Sequence, residues 1–238
     1  MSGHSKWANI KRKKGENDKA KGVIFAKLSR IITLAVVEGG GIGDPASNFR
    51  LRLAIEKARS ANMPKDNIER AIEKGTGSNS VNLKEVVYEA FLSHGVACMI
   101  QCTTDNPTRT FNEVRMTLES RGGKMGSQGS VSYLFQKCAV MEFDAATQKE
   151  DDVFAFAEAL NAYDIDESGG KIIIYFPFES FGKAMRALGS LTPSLSEIEY
   201  RALTKVSVAN KEEAQQVIHM AEGLEELDDV HLVFINLE

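Results

Sequence analysis

The spacing of apolar positions changes near residue 80. Before it, Ile24, Leu28, Ile31 and Ala35 recur at three-and-four spacing within VIFAKLSRIITLAVV, which predicts a helix with one buried stripe. EGGGIGDP ends that helix. Asp44-Pro45 predicts the next start, because Asp caps free N–H groups and Pro is tolerated at the first helical position. Leu51, Ala54, Ile55, Ala58 and Ala61 form a second stripe, broken at Asn62-Met63-Pro64. A third short helix runs to Lys74 with Ile68, Ala71 and Ile72 inside; Gly75 and Gly77 end it and SNSVN reads as a linker.

Beyond residue 80 the elements alternate. VVYEAFLS and VACMIQCTT predict two strands joined at a His94-Gly95 hairpin. Asn106 caps and Pro107 opens a helix whose Phe111, Val114 and Leu118 face a core. GGKMGSQGS predicts a mobile glycine loop leading to VSYLFQ. From Ala139 the order is strand (AVMEF), helix (EDDVFAFAEALNAY), two strands (around DIDES and KIIIYF), helix (ESFGKAMRALGS) and strand (SEIEYRAL). That βαββαβ order is ferredoxin-like. A strand (KVSVA), a helix (KEEAQQVIHMAEGL) and a strand (VHLVFINL) remain, and with the earlier ββα they complete a second α/β layer structure. The expected fold class is α+β in three domains: a helical one at 1–77, a discontinuous α/β one at 80–136 with 204–238, and a ferredoxin-like α/β one at 137–203 inserted in it.

Composition narrows the class. Apolar residues make up 43% and charged residues 26% of 238, as in ordinary globular proteins. The longest apolar candidate, Val23–Val37, is interrupted by Lys27, Ser29, Arg30 and Thr33, so no membrane span is expected. The basic N-terminus has no apolar core followed by a cleavage site, so no secretory signal is read. Cys98, Cys102 and Cys138 are odd in number and lack a CxxC pair, against a disulfide framework or zinc ribbon; buried thiols in a reducing cytoplasm are expected. His4, His94, His219 and His231 share no metal-ligand spacing, and no Ser-His-Asp or Cys-His motif is readable. The expectation is therefore no enzyme, with no catalytic residue, metal, cofactor or small-molecule substrate. GGGIG follows a helix and lacks the Lys-Ser/Thr of a phosphate loop, so it reads as a flexible connection between helices. Asp151-Asp152 and Asp228-Asp229 read as helix starts or turns, where they complement the helix dipole or solvate a loop.

Charge supplies the functional signal. Residues 1–74 hold 16 Lys+Arg and 8 Asp+Glu, a net of +8, whereas residues 75–238 hold 13 and 25, a net of −12. Salt screens fields beyond about 10 Å, so this local asymmetry matters more than the total. Lys6, Lys11, Arg12, Lys13, Lys14, Lys19, Lys21, Lys27 and Arg30 are candidate phosphate contacts, and Trp7 offers a face on which a base can stack. Six to ten such contacts make affinity fall roughly 10³–10⁵-fold between 50 and 200 mM salt. A second cluster is TDNPTRT with RGGK: Arg109 and Lys124, with Arg115 and Arg121, lie on one helix and its ends, and a helix N-terminus offers free N–H groups to phosphate. No helix-turn-helix, RNP or GXXG pattern reads bases.

Three blocks, MSGHSKWANIK, GGGIGDPASNFRLRLAIEKARSANMPKDNIERAIEKG, and TDN-x-x-RT followed by GG-x-x-G-x-x-GSVSYLF, resemble the YebC/PmpR family across nearly the whole chain. The resemblance implies a helical N-terminal domain and two α/β domains. Many members are described as DNA-binding transcriptional regulators; others are translation factors, including a mitochondrial translational activator of cytochrome c oxidase and ribosome-associated bacterial proteins. It implies no catalytic residue or cofactor. This chain departs where YEAF is followed by LSHG rather than a Gly-Pro-Gly-Gly-like turn, and where TDNPTRT has Pro107 in place of an Arg. The expected function is a cytoplasmic nucleic-acid-binding regulator of gene expression, of the DNA-binding transcriptional type. The alternative is a translation factor bound to ribosomal RNA, since phosphate contacts position a protein without specifying sequence.

Overall fold

The computed structural model describes residues 18–77 and 82–238. Three helices come first: α1 (Asp18–Glu38), α2 (Phe49–Ser60) and α3 (Lys65–Thr76). Leu28, Ile32, Ala35 and Val36 of α1 pack against Leu51, Ala54, Ile55 and Ala58 of α2 and Ile68 and Ala71 of α3. The buried stripe of α1 therefore runs through Ile32 and Val36, with Ile31 at its margin and Ile24 41% exposed. Ile24 lies in the first two turns of α1, ahead of the buried run that begins at Leu28.

Asn48, not Asp44, caps α2. Its Oδ1 accepts from Leu51 N–H at 3.1 Å, while its Nδ2 donates to Ala35 O at 2.8 Å and Ile42 O at 3.0 Å. One side chain thus starts α2, satisfies a carbonyl in the last turn of α1 and pins the glycine turn between them. Asp44 instead holds the Asp44–Ser47 turn, accepting from Ala46 N–H and Ser47 Oγ at 3.0 Å each. The GGGIG connection is consequently a built turn rather than a flexible one. Gly75 does not end its helix. It sits inside α3, where a Cβ would meet Val36 Cβ at 2.6 Å and Thr33 O at 2.9 Å, so its missing side chain lets α1 and α3 approach. Thr33 Oγ1 closes the same contact by donating to Ala71 O at 2.8 Å.

The first sheet has the order β3-β1-β2-β8 and is antiparallel throughout, built from β1 (Lys84–Phe91), β2 (Ala97–Thr104), β3 (Lys124–Met125) and β8 (Val230–Ile235). β1 and β2 pair with Tyr88 opposite Ile100 and join through a short 3-10 turn in which His94 (φ 59°) and Gly95 (φ 73°) are both left-handed. Helices α4 (Pro107–Glu119) and α7 (Lys211–Glu225) cover one face: Ala90, Cys98, Ile100, Cys102 and Val233 pack against Val114, Leu118, Val217, Ala221 and Leu224. Cys98 and Cys102 share that face and are fully buried; burial pushes both thiols well above their ordinary range. KVSVA is not a strand. It contributes one parallel bridge, Val206 to Leu237.

The second sheet has the order β5-β6-β4-β7, from β4 (Phe135–Asp144), β5 (Asp164–Ser168), β6 (Lys171–Pro177) and β7 (Leu195–Ala202), with α5 (Glu150–Ala159) and α6 (Phe181–Ala187) as crossovers. Read in chain order this is the 4-1-3-2 arrangement of a βαββαβ ferredoxin-like unit. The fold is thus α+β with two antiparallel sheets. Glu150, Asp151 and Asp152 occupy the first turn of α5, where the helix dipole favours them. Gln136–Arg201 forms one compact unit, and the described remainder, helical bundle included, forms the other. The chain leaves the first sheet's unit after Phe135 and re-enters it at Ala202, and next to that crossing Leu203 N–H donates to Leu134 O at 2.8 Å.

Candidate functional site

Asp229 organises the polar side of the larger unit. The sequence reads the Asp228-Asp229 pair as a solvated turn; the structure corrects this, because Asp229 is only 4% exposed. It stands just before β8, and its backbone carbonyl accepts from Thr103 N–H at 2.8 Å at the end of β2. Its carboxylate receives Thr104 Oγ1 at 2.9 Å, Thr110 Oγ1 at 2.6 Å and Arg109 Nη2 at 2.8 Å, and Arg30 Nη1 binds the other oxygen. The two hydroxyls lie 2.7 Å apart. Burial alone would raise this carboxyl, but the donors Thr110, Arg109 and Thr104 and the charge of Arg30 outweigh it and hold it below the ordinary range.

The elements that deliver these partners are locally dictated. Asn106 caps α4 by accepting from Arg109 N–H at 3.1 Å, and Pro107 takes the first helical position, as the sequence predicts. That start fixes Arg109 and Thr110 one turn in, directly over Thr104 at the end of β2. Arg109 also binds Asp105 at 2.9 Å. Tyr88 Oη donates to Pro107 O at 2.8 Å and supports the same turn.

Three of the candidate phosphate contacts are therefore held by the protein itself. Arg30 reaches Asp229 and also donates to Asp228 O at 2.8 Å. Lys27 donates to Glu225 O at the end of α7, and its burial lowers its pKa against the pull of Glu225 and Asp228. Arg109 completes the Asp229 cluster. Arg50, which sequence reasoning did not single out, contacts Glu38 and lies 3.9 Å from Glu85 in β1. The contacts of Lys27 with Glu225, of Arg30 with Asp228 and Asp229, and of Arg50 with Glu85 fasten the helical bundle to the first sheet and its covering helix. Lys124 stands apart: it is exposed in β3 with its Nζ 5.6 Å from the Phe91 ring centroid. Lys19 and Lys21 fall in the first turn of α1. Lys6, Trp7, Lys11, Arg12, Lys13 and Lys14 lie outside the described residues.

The glycine-rich loop after α4 is not an empty cradle. Glu89, buried in β1, accepts Gly129 N–H at 2.7 Å, Val131 N–H at 2.7 Å and Ser132 N–H at 2.8 Å. Backbone amides that could bind a foreign anion already hold one of the protein's own carboxylates. Burial would raise the Glu89 carboxyl, but the amides of Val131, Gly129 and Ser132 bring it below the usual range. The expectation of a mobile loop is corrected: it is anchored at three points. Among the described residues no group of three His, Cys, Asp or Glu is placed to hold a metal ion, and no helix is long and apolar enough to cross a membrane.

One cleft, of about 420 Å³, opens beside Asp229. Ser29, Arg30 and Thr33 of α1, Lys74 of α3, Leu83, and Asp105 and Arg109 at the start of α4 line it. In the sequence Lys74 reads only as the end of a helix, because nothing in its neighbourhood signals that α3 ends beside α4.

Comparisons with known proteins agree on one lineage. The family described as TACO1/YebC protein N-terminal domain matches residues 5–78, and that described as TACO1/YebC second and third domain matches residues 83–237. A probable transcriptional regulatory protein of Borrelia turicatae is 44% identical over 241 residues, covering 100% of this chain and 98% of that protein. Its counterpart in Borrelia hermsii is 45% identical over 240 residues, with the same coverage of 100% and 98%. The crystal structure of a conserved hypothetical protein from Aquifex aeolicus superimposes with a TM-score of 0.87 at 38% identity, covering 98% of this chain and 97% of that one. With both family descriptions matched end to end, this chain belongs to the TACO1/YebC family.

Proposed function

We propose that the protein is a nucleic-acid-binding regulator of gene expression, of the DNA-binding transcriptional type and working in the cytoplasm, whose main contact is the basic segment from Lys6 to Lys21. The observation that carries this reading is the division of charge, +8 over residues 1–74 against −12 over 75–238. Curated relatives named as probable transcriptional regulatory proteins support it. The packing sharpens it. Lys27, Arg30 and Arg50 each have an internal acceptor, in Glu225 O, Asp229, or Glu38 and Glu85, which lowers their share of any polyanion contact. Phosphate neutralisation by such a segment is strong, salt-dependent and blind to sequence.

Reversing Lys11, Arg12, Lys13 and Lys14 to Glu tests this. Binding to a labelled DNA duplex should weaken, and the slope of log affinity against log salt should fall by about 3 to 4, at roughly 0.9 for each phosphate no longer neutralised. Unchanged affinity would exclude the segment as the contact surface. A second reading, a translation factor on ribosomal RNA, draws on the same charges, and the absence of a base-reading motif suits recognition by RNA shape. Sedimentation of lysate at low and moderate salt separates the two: co-migration with ribosomes, joined to weak and sequence-blind DNA binding, replaces the first reading with the second.

A further inference from the structure

We infer that the cleft beside Asp229 is a phosphate-binding site, in which Arg30, Lys74 and Arg109 hold one backbone phosphate of the polynucleotide; this rests on the nucleic-acid reading above. Three cations from separate parts of the chain converge there, from α1, α3 and the first turn of α4. Against them stand Asp105 and Asp229, which leaves the lining one positive charge in excess.

Asp229 does not cancel the site; it aligns it. Arg30 meets the carboxylate through Nη1 and Arg109 through Nη2. Arg30 Nη1 also donates to Asp228 O, and Arg109 also meets Asp105 through Nη2 and lies 4.0 Å from Glu113 through Nε; each guanidinium carries five N–H groups, so both keep donors beyond these contacts, and the planar fork matches phosphate oxygens. Both arginines keep substantial access to solvent, with side chains 35% and 44% exposed, whereas the carboxylate that fixes them is 3% exposed. Buried acid, oriented arginines and open cleft follow in that order from inside to outside. Lys74, exposed on the last turn of α3, adds a mobile point charge at the rim. The volume, about 420 Å³, falls in the range of small-molecule clefts and suits a single nucleotide rather than a duplex groove.

The test compares full-length protein with Lys74→Gln and Lys65→Gln, two equal charge losses on one helix. Lys65 is paired with Glu69 at 3.2 Å and does not line the cleft. Anisotropy with a labelled single-stranded 20-mer, in DNA and RNA versions, is titrated from 50 to 200 mM salt. Lys74→Gln should reduce the salt slope by about 1 and weaken binding roughly 5- to 10-fold at 0.1 M salt, while Lys65→Gln leaves both unchanged. If Lys74→Gln keeps the wild-type slope while the Lys11–Lys14 reversal loses its share, the cleft is not a site and the broader reading stands. If both single variants lose equally, the effect is general charge and the cleft again fails. If wild-type protein binds neither 20-mer, the nucleic-acid reading falls and the cleft with it.

Discussion

Replacing Asp229 by Asn should cost about 2 kcal/mol of stability, and the structure says where the loss arises. Asn keeps the shape and one acceptor oxygen. Placed toward Thr104, Thr110 and Arg109, that oxygen still receives three donors, but without charge, and hydrogen bonds to an ionised acceptor are roughly twice as strong as neutral ones. The new NH₂ then faces Arg30, donor against donor. Arg30 and Arg109 can turn to water, being 35% and 44% exposed, and add little. Thr104 and Thr110 cannot, at 1% exposure each, and carry most of the loss. Asp229→Ala, which removes the acceptor altogether, should cost about 3 to 4 kcal/mol. The penalty must also depend on pH. A carboxyl held below its ordinary value contributes its stabilisation above the unfolded pKa of about 3.9 and loses it as pH falls through the folded value. Urea unfolding followed by circular dichroism should therefore show a wild-type advantage over Asp229→Asn at pH 7 that is smaller at pH 3. Hydrogen exchange at Thr103, whose N–H is bonded to Asp229 O, gives the local reading. A difference under about 0.5 kcal/mol at pH 7, or one equal at both pH values, would refute the assignment of Asp229 as the centre of this cluster.

Two other perturbations probe separate contacts. Gly75→Ala should destabilise by about 1–3 kcal/mol because its Cβ would press on Val36 Cβ at 2.6 Å and Thr33 O at 2.9 Å; Gly22→Ala, on the same bundle with nothing within 4 Å, should stabilise by about 0.5–1 kcal/mol, and melting temperatures of the pair must move in opposite directions. Glu89→Gln should release the loop at Gly129–Ser132, raising amide exchange at Gly129, Val131 and Ser132 while the strands of the second sheet stay protected; protection unchanged in the loop would mean the carboxylate charge is not what anchors it.

Local signals translated well where chemistry and geometry coincide within a few residues. Asn106-Pro107 marks the start of α4 because cap and first-turn proline act within one turn, and the βαββαβ order is readable because each element has its own period. Signals that depend on a distant partner did not translate. Asp44 looks as good a cap as Asn48; what selects Asn48 is that its amide also reaches Ala35 O and Ile42 O, a requirement only the folded turn imposes. Gly75 resembles a helix stop because sequence cannot show Val36 facing it. At the candidate site the basic residues were visible as charges, but their acceptors lie up to 199 positions away, as for Arg30 and Asp229. An Asp-Asp pair before a β-strand carries no mark that one member is buried.

The crossing at Leu134 and Leu203 has a consequence for how the protein is made. β8 sits beside β2 in the finished sheet, yet the whole Gln136–Arg201 unit is translated between them. At ordinary elongation rates this delay is on the order of ten seconds, during which one flank of β2 has no neighbour and Cys98, Ile100 and Cys102 await the α7 side of their core. The later-encoded unit can close first, and the earlier one spends its nascent life with an open edge, the condition under which strands recruit the wrong partner.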